Sequence, residues 1–209
     1  MKKIGITGTI ASGKSSVSIS LKRRGMPVFN ADNYSKISLH QGSECYEQLV
    51  KILGSDVLDD NRDIDAHKMA SLIFDDEEKR VAVNHAVHPF VKKGMEKFFL
   101  SHADKPLVFA EVPLLFESHW EDEFDAVCVV TCSHEEAVRR MMKDRSYTKE
   151  EAEKRYASQM DPEKQKEKAD YVLVNDGDRK ELEQQINLWV GQLRKETRHG
   201  SESERHVSL

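Results

Sequence analysis

The sequence has no apolar run approaching the roughly 18 residues of a membrane-crossing helix, so no transmembrane helix is expected. Its opening, MKKIGITG, carries a lysine pair but no long apolar stretch before a polar loop, which argues against a signal peptide. Cysteine is scarce: Cys45, Cys128 and Cys132 make an odd number, with no CxxC pair among them. That argues against a disulfide framework or a zinc site and fits a reducing, cytoplasmic setting. Cys128 and Cys132 bracket VVT in an apolar segment and read as small core residues. Excess positive charge is missing as well. With 32 Lys and Arg against 37 Asp and Glu the formal charge is −5, and no long basic block stands apart from it. This weighs against nucleic acid as a partner. The patterns D-x-x-G and N-K-x-D, which guanine-nucleotide switches normally carry, occur nowhere in the chain.

What is there suits a soluble domain with a sizeable core. The 209 residues are 38% hydrophobic and 33% charged. Short apolar, β-branched runs read as strands at Lys3–Thr7, at MPVF (26–29), at Leu107–Ala110 ending in Glu111, at FDAVCVVT (124–131) and at YVLV (171–174). Helical patterns lie between them: Lys14–Arg24 stopped by Gly25, then 33–102 interrupted at LGSD (53–56) and at Pro89, then Glu135–Lys143 and two strongly charged stretches. A last helix over Arg179–Lys195 repeats Leu182, Ile186, Val190 and Leu193 on one face. Strands alternating with helices predict an α/β fold with a five-stranded, mostly parallel sheet covered on both faces. The tail 196–209 has little to bury and reads as flexible.

One motif carries most of the chemistry. Gly8-Thr9-Ile10-Ala11-Ser12-Gly13-Lys14-Ser15 fits G-x-x-x-x-G-K-[ST] between a strand and a helix. A chance match somewhere in a chain of this length is roughly a one-in-a-hundred event, and the strand-loop-helix context lowers the odds further. The glycines let backbone N–H groups turn toward a polyphosphate, and the helix end adds its positive pole. Lys14 is expected at the β/γ-phosphates and the Ser15 hydroxyl on Mg²⁺, with Ser16 beside them.

A phosphate loop alone does not separate ATPases, switches and kinases. A kinase also needs a carboxylate for the acceptor hydroxyl and cations over the phosphates. Asp32, just past the second strand, is placed for the first task, and its plain alternative is an N-cap for the next helix. Glu111, closing the third strand, is a candidate to hold Mg²⁺ through water, although many strands end in a carboxylate with no metal nearby. Arg139, Arg140, Lys143 and Arg145 supply cations at the start of a charged, lid-like segment, and the plain alternative there is a solvated helix face.

The ordered motifs resemble the dephospho-coenzyme A kinase family. The resemblance is carried by GITGTIASGKSSV, by NAD at 30–32 against a family D-A-D, and by LGSDVLDDNRDID. Further on it is carried by His88-Pro89, by Pro113-Leu114-Leu115-Phe116-Glu117, by Gln159, and by ADYVLVNDGD. It covers about residues 3 to 190. It implies a P-loop kinase fold with core segments 1–31, 106–140 and 169–195, a helical acceptor-binding insertion at 32–105 and a lid at 141–168. It also implies ATP- and Mg²⁺-dependent phosphorylation of the ribose 3′-hydroxyl of dephospho-CoA. By the same resemblance Asp32 acts as the acceptor-side base, Arg140 contacts ATP and Asn175 lies beside the adenine. His88, Pro113, Leu114 and Glu117 belong to the acceptor. Four positions depart from the family pattern: Asn30 for Asp, Glu111 for Asp, Ala66 for Arg, and Asp144 for a lid Arg that Arg145 follows one place late. A kinase for another nucleoside or small alcohol, and an ATP-binding protein without turnover, remain the alternative readings.

Overall fold

The computed structural model describes residues 1–74 and 76–205, with side chains described as far as residue 197. The chain divides into two compact units, one of Met1–Phe29 with the residues from His102 onward, the other of Asn30–Ser101. The first begins with β1 (Lys2–Thr7) and α1 (Lys14–Arg23), and β2 (Val28–Asn30) leads out of it. The second holds α2 (Ala31–Ser35), α3 (Tyr46–Leu53), α4 (Ala66–Phe74) and α5 (Glu77–Ser101). The first unit then resumes with β3 (Leu107–Glu111), β4 (Ala126–Thr131), α6 (His134–Arg145), α7 (Lys149–Ala157), α8 (Pro162–Glu167), β5 (Tyr171–Val174) and α9 (Arg179–Arg205).

The five strands form one sheet in the order β2-β3-β1-β4-β5. β1 runs parallel to both β3 and β4, and β4 parallel to β5. Every residue of β3 and β4 is buried, as a parallel sheet covered on both faces requires. On one face Ile4, Ile6, Phe109, Cys128 and Val130 meet Val17 and Leu21 of α1 and the apolar stripe of α9. That stripe is the Leu182, Ile186, Val190 and Leu193 series, with Ile186 and Leu193 fully buried. Trp189 adds an edge-on contact to Phe109, ring centroids 5.7 Å apart. Because β1, β3, β4 and β5 of this unit all run the same way, Thr7, Glu111, Thr131 and Val174 end at one edge of the sheet. Parallel α/β sheets bind their ligands at that edge.

At β5, the last strand of the sheet, Gln185 covers the open side: its amide accepts from the Val174 N–H at 3.0 Å and donates to the Val174 carbonyl at 2.7 Å.

The second unit has its own core. Leu39, Tyr46, Leu49, Leu53, Val57, Ile64, Val83 and Ala86 pack together in it.

Several local expectations are corrected. Pro89 does not interrupt the chain's helix; it lies inside α5. It costs one backbone hydrogen bond, and burial of Val83, Ala86, Val91, Met95 and Phe99 on both sides holds the helix through it. α9 carries on to Arg205, past Lys195 where the sequence pattern ends it; residues 206–209 of the expected flexible tail lie outside the described residues. The fourth strand starts at Ala126, because the Asp125 N–H already bonds Lys3 and its carboxylate accepts from the Lys3 N–H at 2.6 Å. Among the described residues no helix is long and apolar enough to cross a membrane.

Candidate active site

The loop between β1 and α1 is drawn tight by two glycines at which any side chain would be strained and crowded. Gly8 has φ +143°, and a side chain there would strike the Val130 carbonyl. Gly13 has φ +102° in the left-handed region and caps α1, and a Cβ on it would stand on the amide nitrogen of Asn175. Between them Ala11 is also held at φ 60°, a conformation that costs a non-glycine residue about 1–2 kcal/mol.

Side chains inside the loop face each other across a polar cradle. Lys14 donates to the Gly8 and Thr9 carbonyls at 2.9 and 2.8 Å, which sets its ammonium over the loop. Thr9 is 2% exposed and Ser12 fully buried, yet neither hydroxyl has a hydrogen-bond partner among the described residues. Buried hydroxyls without partners are costly. Each oxygen is closed off from solvent, so both belong to the packing of the loop rather than to its ligand face. Ser15 donates to Glu111 at 2.9 Å, joining the end of β3 to the first turn of α1. A hydroxyl beside a buried carboxylate at a phosphate loop is a donor set that suits Mg²⁺, which takes few protein oxygens and keeps water and phosphate. Among the described residues there is no group of three or more His, Cys, Asp or Glu side chains that could hold a metal ion.

Arg140 and Asn175 come to the same loop from two other elements. Arg140 of α6 donates to the Ala11 and Ser12 carbonyls at 3.3 and 3.5 Å and to the Asn175 carbonyl at 2.8 Å. Asn175, just past β5, donates its side-chain amide to the Ser12 carbonyl at 2.8 Å, and its backbone N–H to Thr131. Glu136 lies between Arg139 and Arg140, accepting from both at 2.6–2.7 Å. The Arg139 hydrogen bonds, and after them the charge of Arg140, hold its carboxyl down at about 2. Lys143, Asp144 and Arg145 are exposed at the end of α6.

Two residues of the lid segment reach the site without having been singled out as site residues. Gln159, just past α7, accepts from the Ile10 N–H at 2.7 Å. Next to it the Met160 N–H donates to Glu117 at 3.1 Å. Beneath them Ile10 and Ala11 pack against Val138, Met141, Ala152, Tyr147 and Tyr156. The sequence holds one signal for Gln159, its match to a family glutamine. In the Pro113–Glu117 segment Leu115 and Phe116 are core residues and Leu114 is exposed. Thr7 at the end of β1 donates to the Pro113 carbonyl at 3.1 Å.

The second unit carries the remaining candidates. Asp32 is exposed in the first turn of α2, and Asn30 rather than Asp32 is the N-cap, accepting from the Asn33 N–H at 2.7 Å. His88 lies on α5 next to Pro89, and burial, then the neighbouring His85 and Lys92, push its imidazole below the ordinary range.

The family model for dephospho-CoA kinase matches residues 2–181, nearly the whole chain. The chain belongs to the dephospho-CoA kinase family. A dephospho-CoA kinase of Geobacillus kaustophilus is 37% identical over 185 residues, spanning 88% of this chain and 92% of that one. A crystal structure of a Thermus thermophilus protein superposes with a TM-score of 0.78 at 35% identity, covering 92% of this chain and 97% of the other. A dephospho-CoA kinase structure from Campylobacter jejuni shares the fold, with a TM-score of 0.69 at 22% identity over 92% and 97%. The fold is therefore that of a P-loop kinase, and a P-loop kinase binds ATP. Against the dephospho-CoA kinase pattern, Asn30 has a local explanation. Asparagine caps a helix as well as aspartate does, so the substitution keeps the start of α2 while removing a charge. Ala66 opens α4, where Asp65 accepts from the His67 and Lys68 N–H groups. Nothing in the structure explains the exchange of Asp144 and Arg145.

Proposed function

We propose that the chain transfers the γ-phosphoryl group of ATP to the ribose 3′-hydroxyl of dephospho-CoA, giving coenzyme A and ADP. The observation that carries the reading is the loop itself, with Lys14 across two of its carbonyls and Ser15 at the start of α1 bonded to Glu111. Family membership supplies the acceptor.

Phosphoryl transfer asks a protein mainly for positioning and for charge on the phosphate oxygens. The loop and the N-terminus of α1 bind the polyphosphate between Gly8 and Ser16, and Lys14 balances charge that moves onto the β–γ bridge. Ser15, with Glu111 through water, would hold Mg²⁺, whose contribution when bound is to draw negative charge from the β- and γ-phosphates. Asp32 accepts the proton of the acceptor hydroxyl. That oxygen then bonds the γ-phosphorus as the bond to the β–γ bridging oxygen breaks and ADP leaves. Arg140 and Asn175 hold the loop for the nucleotide, with Asn175 on the adenine side. On the family resemblance the insertion at 32–105, with His88, is assigned to acceptor binding, as are Pro113, Leu114 and Glu117, and 141–168 is assigned to the lid. The enzyme works in the cytoplasm, away from membrane and nucleic acid, in keeping with its charge of −5.

The test is direct. Purified protein with ATP, Mg²⁺ and dephospho-CoA is expected to give a product of the mass of CoA together with ADP. Turnover of another alcohol in place of dephospho-CoA overturns the acceptor, and tight ATP binding with no turnover of any acceptor overturns the kinase reading.

A further inference from the structure

The strain in the phosphate loop is concentrated at Ala11, and the bonds that hold it come from within the loop, where the Ser12 N–H closes a turn on the Thr9 carbonyl at 3.2 Å, and from outside it. A residue kept in a sparsely populated conformation persists only when its surroundings fix it on both sides. On the N-terminal side the Ile10 N–H is taken by Gln159. On the C-terminal side the Ala11 and Ser12 carbonyls are taken by Arg140. The two clamps differ in origin. Arg140 belongs to a long helix packed on the core, whereas Gln159 lies in the link between α7 and α8. That link is itself tied down at the next residue, where the Met160 N–H meets Glu117 and its carbonyl accepts from the buried Gln165 amide at 3.3 Å.

We propose that Gln159 is a positioning residue of the nucleotide site, fixing the phosphate loop through the Ile10 N–H, and that Glu117 acts on the loop through Gln159. Ile10, Gln159, Met160 and Glu117 thus form a latch. It joins the loop to the segment after β3, whose last residue Glu111 bonds Ser15 from the other side. With Ile10 satisfied by Gln159, the loop presents to the phosphates the N–H groups at the start of α1, already aimed. A loop ordered beforehand loses less freedom on binding and so binds more tightly. The proposal rests on reading this loop as the seat of ATP.

The experiment titrates ATP calorimetrically, without acceptor, into the wild type and four variants: Gln159→Leu, Glu117→Ala, Glu117→Gln and the double Gln159→Leu/Glu117→Ala. Loss of one hydrogen bond predicts about fivefold weaker ATP binding for Gln159→Leu. Glu117→Ala is expected to weaken ATP about threefold although it touches no loop residue. Glu117→Gln, which keeps an oxygen for the Met160 N–H, is expected to restore wild-type affinity. The double variant is expected to match Gln159→Leu alone, because both changes open one latch. ATP binding by Gln159→Leu that is unchanged or tighter overturns the proposal, as do single effects that multiply in the double variant. Glu117→Gln as weak as Glu117→Ala overturns the link through Met160. If Gln159→Leu fails to fold, the Glu117 pair decides alone. A wild type that binds ATP but makes no CoA overturns the acceptor assignment and leaves the latch standing; one that binds no ATP overturns both.

Discussion

The side-chain amide of Asn175 occupies the space that a side chain on Gly13 would need, while donating to the Ser12 carbonyl at 2.8 Å. The end of β5 and the start of α1 are therefore fitted to each other at a single hydrogen atom. Gly13→Ala meets two penalties here, the positive φ and the collision. We expect at least a tenfold loss of ATP affinity and a stability loss of about 2 kcal/mol. Adding Asn175→Ala relieves the collision but not the φ, so it restores only part of each. Calorimetric ATP titration and thermal melting of the two variants check this.

Ser15→Ala removes the hydroxyl that bonds Glu111. The expected result is a rise of about tenfold in the Mg²⁺ concentration for half-maximal activity, with a smaller change in ATP affinity measured without metal. A titration of activity against Mg²⁺ checks it, and an unchanged midpoint would remove Ser15 from the metal site.

Asp32→Asn keeps the size of the side chain while removing the proton acceptor. We expect kcat to fall by about 10²–10⁴-fold, the usual worth of a positioned base, with ATP binding nearly kept. Steady-state kinetics alongside ATP titration separate the two, and turnover near that of the wild type would rule out Asp32 as the base.

Glu136 gives an acid-side signature. Its folded value, about 2, lies below the ordinary 4.5, so between these the unfolded chain binds the extra proton. The stabilisation is complete above about pH 4.5 and is lost as pH falls through about 2. Its size is on the order of 2 kcal/mol after allowing for solvent screening. Urea unfolding of the wild type and Glu136→Gln should show a gap at pH 7 that narrows below pH 4. A gap independent of pH would place the effect in packing rather than charge.

The frame of this fold was legible because the strands are short β-branched or aromatic runs, and those of β3 and β4 are buried on both faces. The α9 stripe was legible for a similar reason, since Leu182, Ile186, Val190 and Leu193 fall at helical spacing. The phosphate loop could be read directly because its constraints are local: Gly8 and Gly13 answer to φ and to close approach. What escaped was set by distant partners. Gln159 lies 149 positions from Ile10, and an uncharged amide carries no pattern that says what it will meet. Arg140 was expected at ATP from the family pattern, and its bonds to the Ala11, Ser12 and Asn175 carbonyls are ones that no side-chain pattern displays. Pro89 was read as a break because local propensity says so, and burial along α5 overrides it.

Gln185, lying along the outside of β5, has a consequence for the company the protein keeps. An open strand edge offers a ready template on which another chain can add itself, rung by rung. Here the last rung is already filled from within, since one amide supplies both halves of the pairing that Val174 would otherwise extend to a stranger. A neighbouring chain seeking to continue the sheet must first evict that amide. The molecule thus closes that one rung of its exposed flank with an uncharged side chain.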